Sequence, residues 1–179
     1  MKQRVQFSEL LGVQVSVRGL SDVRGAPKGS VTHMISLLDS SYGGAADPEQ
    51  VGLVDHLVLH FDDISERIPG KRVVRREDIQ ALLEFGQRLA ANLDQERHLL
   101  IHCHAGVSRS SAALLVLMAR AEPERNAQRA MDELLQICPW GLPNVSVVEE
   151  GDRLLGYHGK LQDVVTLYYD SLRAGANVT

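Results

Sequence analysis

The stretch Leu99–Ser111, LLIHCHAGVSRSS, decides how the rest of this 179-residue chain is read. Leu99 to His102 has the composition of a short buried strand, and an apolar helix opens at Arg109 or Ser110 and continues to about Ala121. A strand that turns sharply into a helix leaves successive backbone N–H groups without partners. Such a nest, at the positive end of a helix, binds an anion such as phosphate. Gly106 lets the backbone take the tight turn and approach the ligand closely. Arg109 presents a planar fork that matches two phosphate oxygens. Cys103, at the base of the nest, sits in the same positive field, which favours the nucleophilic thiolate. A thiolate beneath a bound phosphate is placed for in-line attack on phosphorus.

The spacing alone is a weak signal. In a chain with 2 Cys and 15 Arg, a Cys and an Arg separated by five residues arise by chance about one time in six. Adding His102 before the Cys, Gly106 three residues after it and Ser110 after the Arg brings the compositional odds to roughly one in twenty thousand. Cys138 fails the same test, because Asn144 stands where the Arg should be. Burial is the favoured reading for it, with a disulfide to Cys103 as a minor redox alternative.

Outward from this segment, strands come first and helices follow. Val13–Val17 alternates apolar and polar residues, Val31–Leu38 (VTHMISLL) is a second strand, and Val54–Phe61 (VDHLVLHF) is a third. Asp39 to Pro48, rich in Ser, Gly, Asp and Pro, is read as a loop. Glu77–Leu93 has helical spacing at Ile79, Leu82, Leu83, Phe85, Leu89 and Leu93. Pro123 suits the first turn of a further helix that carries Ala127, Ala130, Met131, Leu134, Leu135 and Ile137. Pro139 to Asn144 breaks that pattern, and helical stretches follow over Ser146–Leu155 and Leu161–Leu172. The expectation is one α/β domain spanning 1–179, a small central sheet flanked by helices, with the helices of 146–174 belonging to it.

Composition narrows the function classes. A formal net charge of −4 lacks the basic surplus of a nucleic-acid binder. Three Phe, four Tyr and one Trp supply a base-stacking platform poorly. The longest apolar run, Ala112–Ala119, is far short of the ~20 residues that cross a bilayer, so no membrane insertion is expected. Two cysteines and no signal-peptide pattern point to a reducing, cytoplasmic setting.

The run His102–Ser110 resembles the signature loop of the cysteine-dependent protein tyrosine and dual-specificity phosphatases. The segment from Val54 onward fits such a domain, and Pro143-Asn144, Asp152 and Gly159-Lys160-Leu161 are similar to less specific motifs of a bacterial branch of tyrosine phosphatases. The resemblance implies a tyrosine-phosphatase-like fold, a cysteinyl-phosphate intermediate, and neither metal nor other cofactor. It makes Cys103 the nucleophile and Arg109 the phosphate clamp. The amides of His104, Ala105, Gly106, Val107, Ser108 and Arg109 become the oxyanion cradle. Ser110 would assist departure of the Cys103 thiolate, and His102 would orient the loop and tune the thiol.

Such enzymes also need an Asp to protonate the leaving oxygen. Asp62 and Asp63 close the third strand; matching strand ends favours Asp63, with Asp62 as the alternative. Both also fit a plain strand-ending turn. His102 and His104 do not make a zinc site, since no second ligand pair stands at the right spacing. Lys71, Arg72, Arg75 and Arg76 are read by default as solvated surface, with a cationic lip for phosphorylated substrates as the alternative. Trp140, Tyr168 and Tyr169 are read as packing residues.

The expected substrate is a phosphorylated protein or a small phosphomonoester. Inositol phosphates or phosphoinositides are the alternative substrates, although the loop holds no lysine. A phosphate-binding module without turnover is the alternative function. Sulfur transfer and arsenate reduction use a similar cradle but another chain arrangement.

Overall fold

A computed structural model describes residues 5–23, 30–43, 53–91 and 96–176. The expected helix end at Leu93, the loop end at Pro48 and both chain termini lie outside the described residues. Strands β1 (Gln6–Ser8), β2 (Val13–Gly19), β3 (His33–Leu38), β4 (Asp55–His60) and β5 (His98–Cys103) form one sheet in the order β1-β2-β5-β3-β4. β1 pairs antiparallel with β2, and every other neighbouring pair is parallel. The helices are α1 (Leu20–Val23), α2 (Arg76–Ala91), α3 (Arg109–Ala121), α4 (Ala127–Ile137), α5 (Val145–Leu155) and α6 (Lys160–Ala176).

β5 is buried along its whole length, as a central parallel strand covered on both faces must be. Its side chains alternate between two apolar clusters. Leu99, Ile101 and Cys103 join the main core, whereas Leu100 packs with Val23, Val31 and Met34 on the other face. The run Ala112–Ala119 is buried on every side because α3 is the inner helix, packed beside α2, α4 and α5. Small residues permit the close approach: a Cβ on Gly151 of α5 would lie 2.4 Å from Val116 Cγ2 of α3.

Three details differ from the sequence reading. Pro123 is not in the first turn of α4, which begins four residues later at Ala127. Arg125 has the left-handed φ of +54°, which interrupts helical winding. Asn126 then accepts a hydrogen bond from the Arg129 N–H at 3.1 Å and starts the helix anew. The short elements β1 and α1 are additions.

The parallel strands bring their C-terminal ends to one rim, where open α/β sheets gather ligand sites. Gly19 is in register with Cys103, Ser36 with His102, and Leu38 with His60. Four chain segments (the end of β2, Asp39, Phe61–Asp63 and the loop after β5) therefore meet there.

Candidate active site

Cys103 is fully buried at the end of β5. The Gly106 N–H donates to its sulfur at 3.2 Å, and Ser110 Oγ lies 3.4 Å away. The loop that follows wraps around this sulfur because its carbonyls are held from outside. His104 O accepts from Leu20 N at 3.0 Å, and Gly106 O accepts from Trp140 Nε1 at 3.1 Å. Val107 O accepts from Leu142 N at 3.1 Å, and Ser108 O from Ala112 N at 3.0 Å and Asn144 N at 3.3 Å. In a planar trans peptide the C=O and the following N–H point in opposite directions. The N–H groups of Ala105, Val107, Ser108 and Arg109 therefore turn away from these outer partners. None of the four meets a protein acceptor among the described residues. They form the kind of nest that takes an anion.

Gly106 is the residue this wrapping cannot do without. Its φ is +71°, and an added Cβ would sit 2.5 Å from both Arg18 C and Gly19 N. The end of β2 thus presses directly on the turn.

Arg109 is buried with 2% exposure. Its NH1 donates to Phe61 O at 2.6 Å and lies 2.8 Å from Asp39 Oδ1, and its NH2 lies 3.2 Å from His104 Nδ1. Its Nε has no hydrogen-bond partner among the described residues, an orphaned donor that an oxyanion would satisfy. His104 Nδ1 is also 3.5 Å from Asp39 Oδ1, and its ring meets the Tyr42 ring edge-on at 5.4 Å. Asp39 was not singled out from sequence. The signal available was its position directly after a strand neighbouring β5.

The adjacent carboxylates Asp62 and Asp63 have opposite environments. Asp62 is buried and receives the Arg72 N–H at 2.7 Å, Ser40 Oγ and Lys71 Nζ at 3.1 Å. The Arg72 N–H first, then the Ser40 hydroxyl, with burial opposing and Lys71 assisting, hold its pKa down at about 2. Asp63 faces the loop instead. Ser108 Oγ donates to its Oδ1 at 2.6 Å and Asn144 Nδ2 donates to the same atom at 2.8 Å. Its Oδ2 lies 3.9 Å from Arg109 Nε.

His102 is fully buried, with Nε2 2.6 Å from Ser36 Oγ, which is also 2.8 Å from His56 Nε2. Burial above all, then the neighbouring His56, lowers its pKa to about 4 against an opposing contribution from the Cys103 backbone. It is a neutral imidazole at physiological pH. Behind the site, Tyr168 and Tyr169 of α6 donate to Gly141 O and Pro143 O, fixing the segment that grips the loop. Asn144 Oδ1 accepts from Val147 N and caps α5. Asp152 receives the N–H groups of Gly159 and Leu161, which ties α5 to the start of α6. Cys138 is buried, and desolvation pushes its pKa up to about 12. No group of three His, Cys, Asp or Glu suited to a metal ion exists among the described residues, and no described helix is long and apolar enough to cross a membrane.

No protein-family model matches the chain, and no curated protein matches it by sequence. Solved structures do. The human tyrosine phosphatase-like serine/threonine/tyrosine-interacting protein superposes with a TM-score of 0.60 at 18% identity, over 87% of this chain and 99% of that one. Human DUSP28 gives 0.58 at 17% identity, over 88% and 94%. The Yvh1 phosphatase domain from Chaetomium thermophilum gives 0.56 at 18% identity, over 89% and 98%. At such identities the likeness is one of fold, and the fold is the one the signature loop implied: that of the tyrosine and dual-specificity phosphatase domains.

Proposed function

We propose that the protein hydrolyses phosphomonoesters, phosphotyrosine in proteins foremost and phosphoserine or phosphothreonine alongside it, through a cysteinyl-phosphate. The observation that carries this reading is the nest itself: four backbone N–H groups and the orphaned Arg109 Nε beside the buried sulfur of Cys103. Preorganised donors of this kind stabilise charge on a transferring phosphoryl group.

In the first step Cys103 sulfur bonds to phosphorus and the ester P–O bond breaks. The leaving oxygen takes a proton from Asp63. That assignment rests on position: both donors to Asp63 converge on Oδ1, which leaves Oδ2 for the proton. Asp62, held near a pKa of 2, has no proton to give at neutral pH. In the second step the Asp63 carboxylate takes a proton from water, the resulting oxygen attacks phosphorus, and the S–P bond breaks. Ser110, 3.4 Å from the sulfur, offers a hydrogen bond to the departing thiolate, and inorganic phosphate is released. Arg109 clamps two phosphoryl oxygens throughout.

A phosphate-binding module without turnover is the second reading, favoured by the likeness to a protein named phosphatase-like and interacting. The test is release of phosphate from an aryl phosphate, in reductant and excess chelator, by wild type, Cys103→Ser and Arg109→Ala. Turnover that survives chelation and disappears in both variants supports hydrolysis. Phosphate binding without turnover in the wild type supports the module.

A further inference from the structure

The basic segment after the acid loop is not one surface. Lys71 lies 3.1 Å from Asp62, and Arg72 lies 2.9 Å from Asp78 while also donating to His60 O. These two cations hold the loop together. Arg67 and Arg75 differ: neither guanidinium has an ion-pair or hydrogen-bond partner among the described residues. Both line a cleft of about 830 Å³ between the loop 65–75 and α5, whose far wall carries Glu149 and Glu150. Ser146 Oγ donates to Ser65 O at 3.2 Å and joins the two walls, and Asp63 lies two residues before Ser65 in the chain. Glu150 is engaged by Arg153. The cleft thus has one wall with two guanidinium groups that make no ion pair and an opposite wall that repels acids, and its lining begins at Ser65, two residues after the residue set to protonate the leaving group.

We propose that this cleft is a subsite for an acidic flank of a phosphorylated polypeptide, whose carboxylates face Arg67 and Arg75 while its phosphoryl group occupies the nest. The assignment rests on the phosphatase-type reading of the nest. Charge complementarity selects the ligand: a chain of net charge −4 keeps two unpaired guanidinium groups in a groove whose lining starts two residues after Asp63. Glu149 orients the ligand by pushing its acidic side chains to the loop wall.

The test uses Cys103→Ser protein and two labelled phosphotyrosine peptides of equal length, one flanked by Asp and Glu, the other by Asn and Gln. Anisotropy at low salt is expected to show the acidic peptide binding about threefold to tenfold tighter, the scale of two exposed ion pairs. The preference should shrink as salt rises. It should vanish in Arg67→Ala/Arg75→Ala and persist in Arg76→Ala, outside the cleft. Equal affinities, a preference that survives the double variant, equal loss in Arg76→Ala, or no binding of either peptide each overturns the proposal. Wild-type failure to hydrolyse an aryl phosphate, by contrast, overturns only the catalytic reading.

Discussion

Substituting Gly106 with Ala tests whether β2 shapes the anion nest. Two costs add at this position. A left-handed backbone costs an L-residue about 1–2 kcal/mol, and Gly106 has a φ of +71°. A Cβ 2.5 Å from Arg18 C and Gly19 N meets backbone that cannot rotate aside, and such overpacking costs about 1–3 kcal/mol. Gly12 provides the control, because its φ is +65° and nothing lies within 4 Å of its added Cβ. Gly12→Ala carries the conformational cost alone. At about 2–4 °C per kcal/mol for a chain of this size, Gly106→Ala should lower Tm by about 4–20 °C. Gly12→Ala should lower it by no more than about 8 °C. Calorimetry reads the difference, and aryl-phosphate turnover reads its consequence. Displacing the loop amides by a fraction of an ångström should reduce kcat on the order of 100-fold, while Gly12→Ala leaves it unchanged. Equal Tm losses with full activity in both variants would refute the view that the end of β2 fixes the nest.

Four further outcomes follow from the geometry. Asp63→Asn should slow turnover most for substrates with poor leaving groups. Asp62→Asn should instead cost about 1–2 kcal/mol in urea unfolding at neutral pH, because it loses a charged acceptor. That deficit should disappear as pH falls through about 2, the pKa of Asp62 in the folded protein. If leaving-group dependence follows Asp62 instead, the acid assignment fails. His102 is neutral in the fold with a pKa of about 4, below its unfolded value, so protonation favours the unfolded chain. Its contribution is intact above about pH 6.5 and is lost at roughly 1.4 kcal/mol per pH unit between there and pH 4. Urea unfolding of His102→Gln should show a flatter profile over that window, and an unchanged slope would count against a buried neutral imidazole. Asn144→Ala removes both the α5 cap and a donor to Asp63, so it should lose about 1 kcal/mol of stability and several-fold in kcat. A loss of stability with unchanged kcat would show that Asn144 does not position Asp63.

Local chemistry made part of this site legible. Cys103, Gly106, Arg109 and Ser110 lie within one strand-turn-helix, so the spacing between them is dictated by backbone geometry and can be read from eight consecutive residues. The helices with one apolar face, such as α2 with Ile79, Leu82, Phe85 and Leu89 buried, were legible for the same reason. What sequence could not show depends on tertiary neighbours. Asp39 reaches Arg109 only because β3 lies beside β5. Trp140 read as a packing residue, yet its indole N–H holds the Gly106 carbonyl outward. Asp62 and Asp63 are chemically equivalent in the chain, and only the approach of Arg72 and Ser40 to one, and of Ser108 and Asn144 to the other, separates them. The misplaced start of α4 shows a competition between two local signals. Pro123 favours a first turn, but the left-handed Arg125 and the capping Asn126 set the boundary. β1 has three residues, too few for a periodic pattern to register.

Acid-quenching a single turnover with a radiolabelled aryl phosphate tests the central claim most directly. The thiolate account predicts acid-stable label on the peptide containing Cys103, more of it in Ser110→Ala, where departure of the thiolate loses its hydrogen bond, and none in Cys103→Ser. Turnover without label on that peptide, or label that persists there in Cys103→Ser, would contradict it.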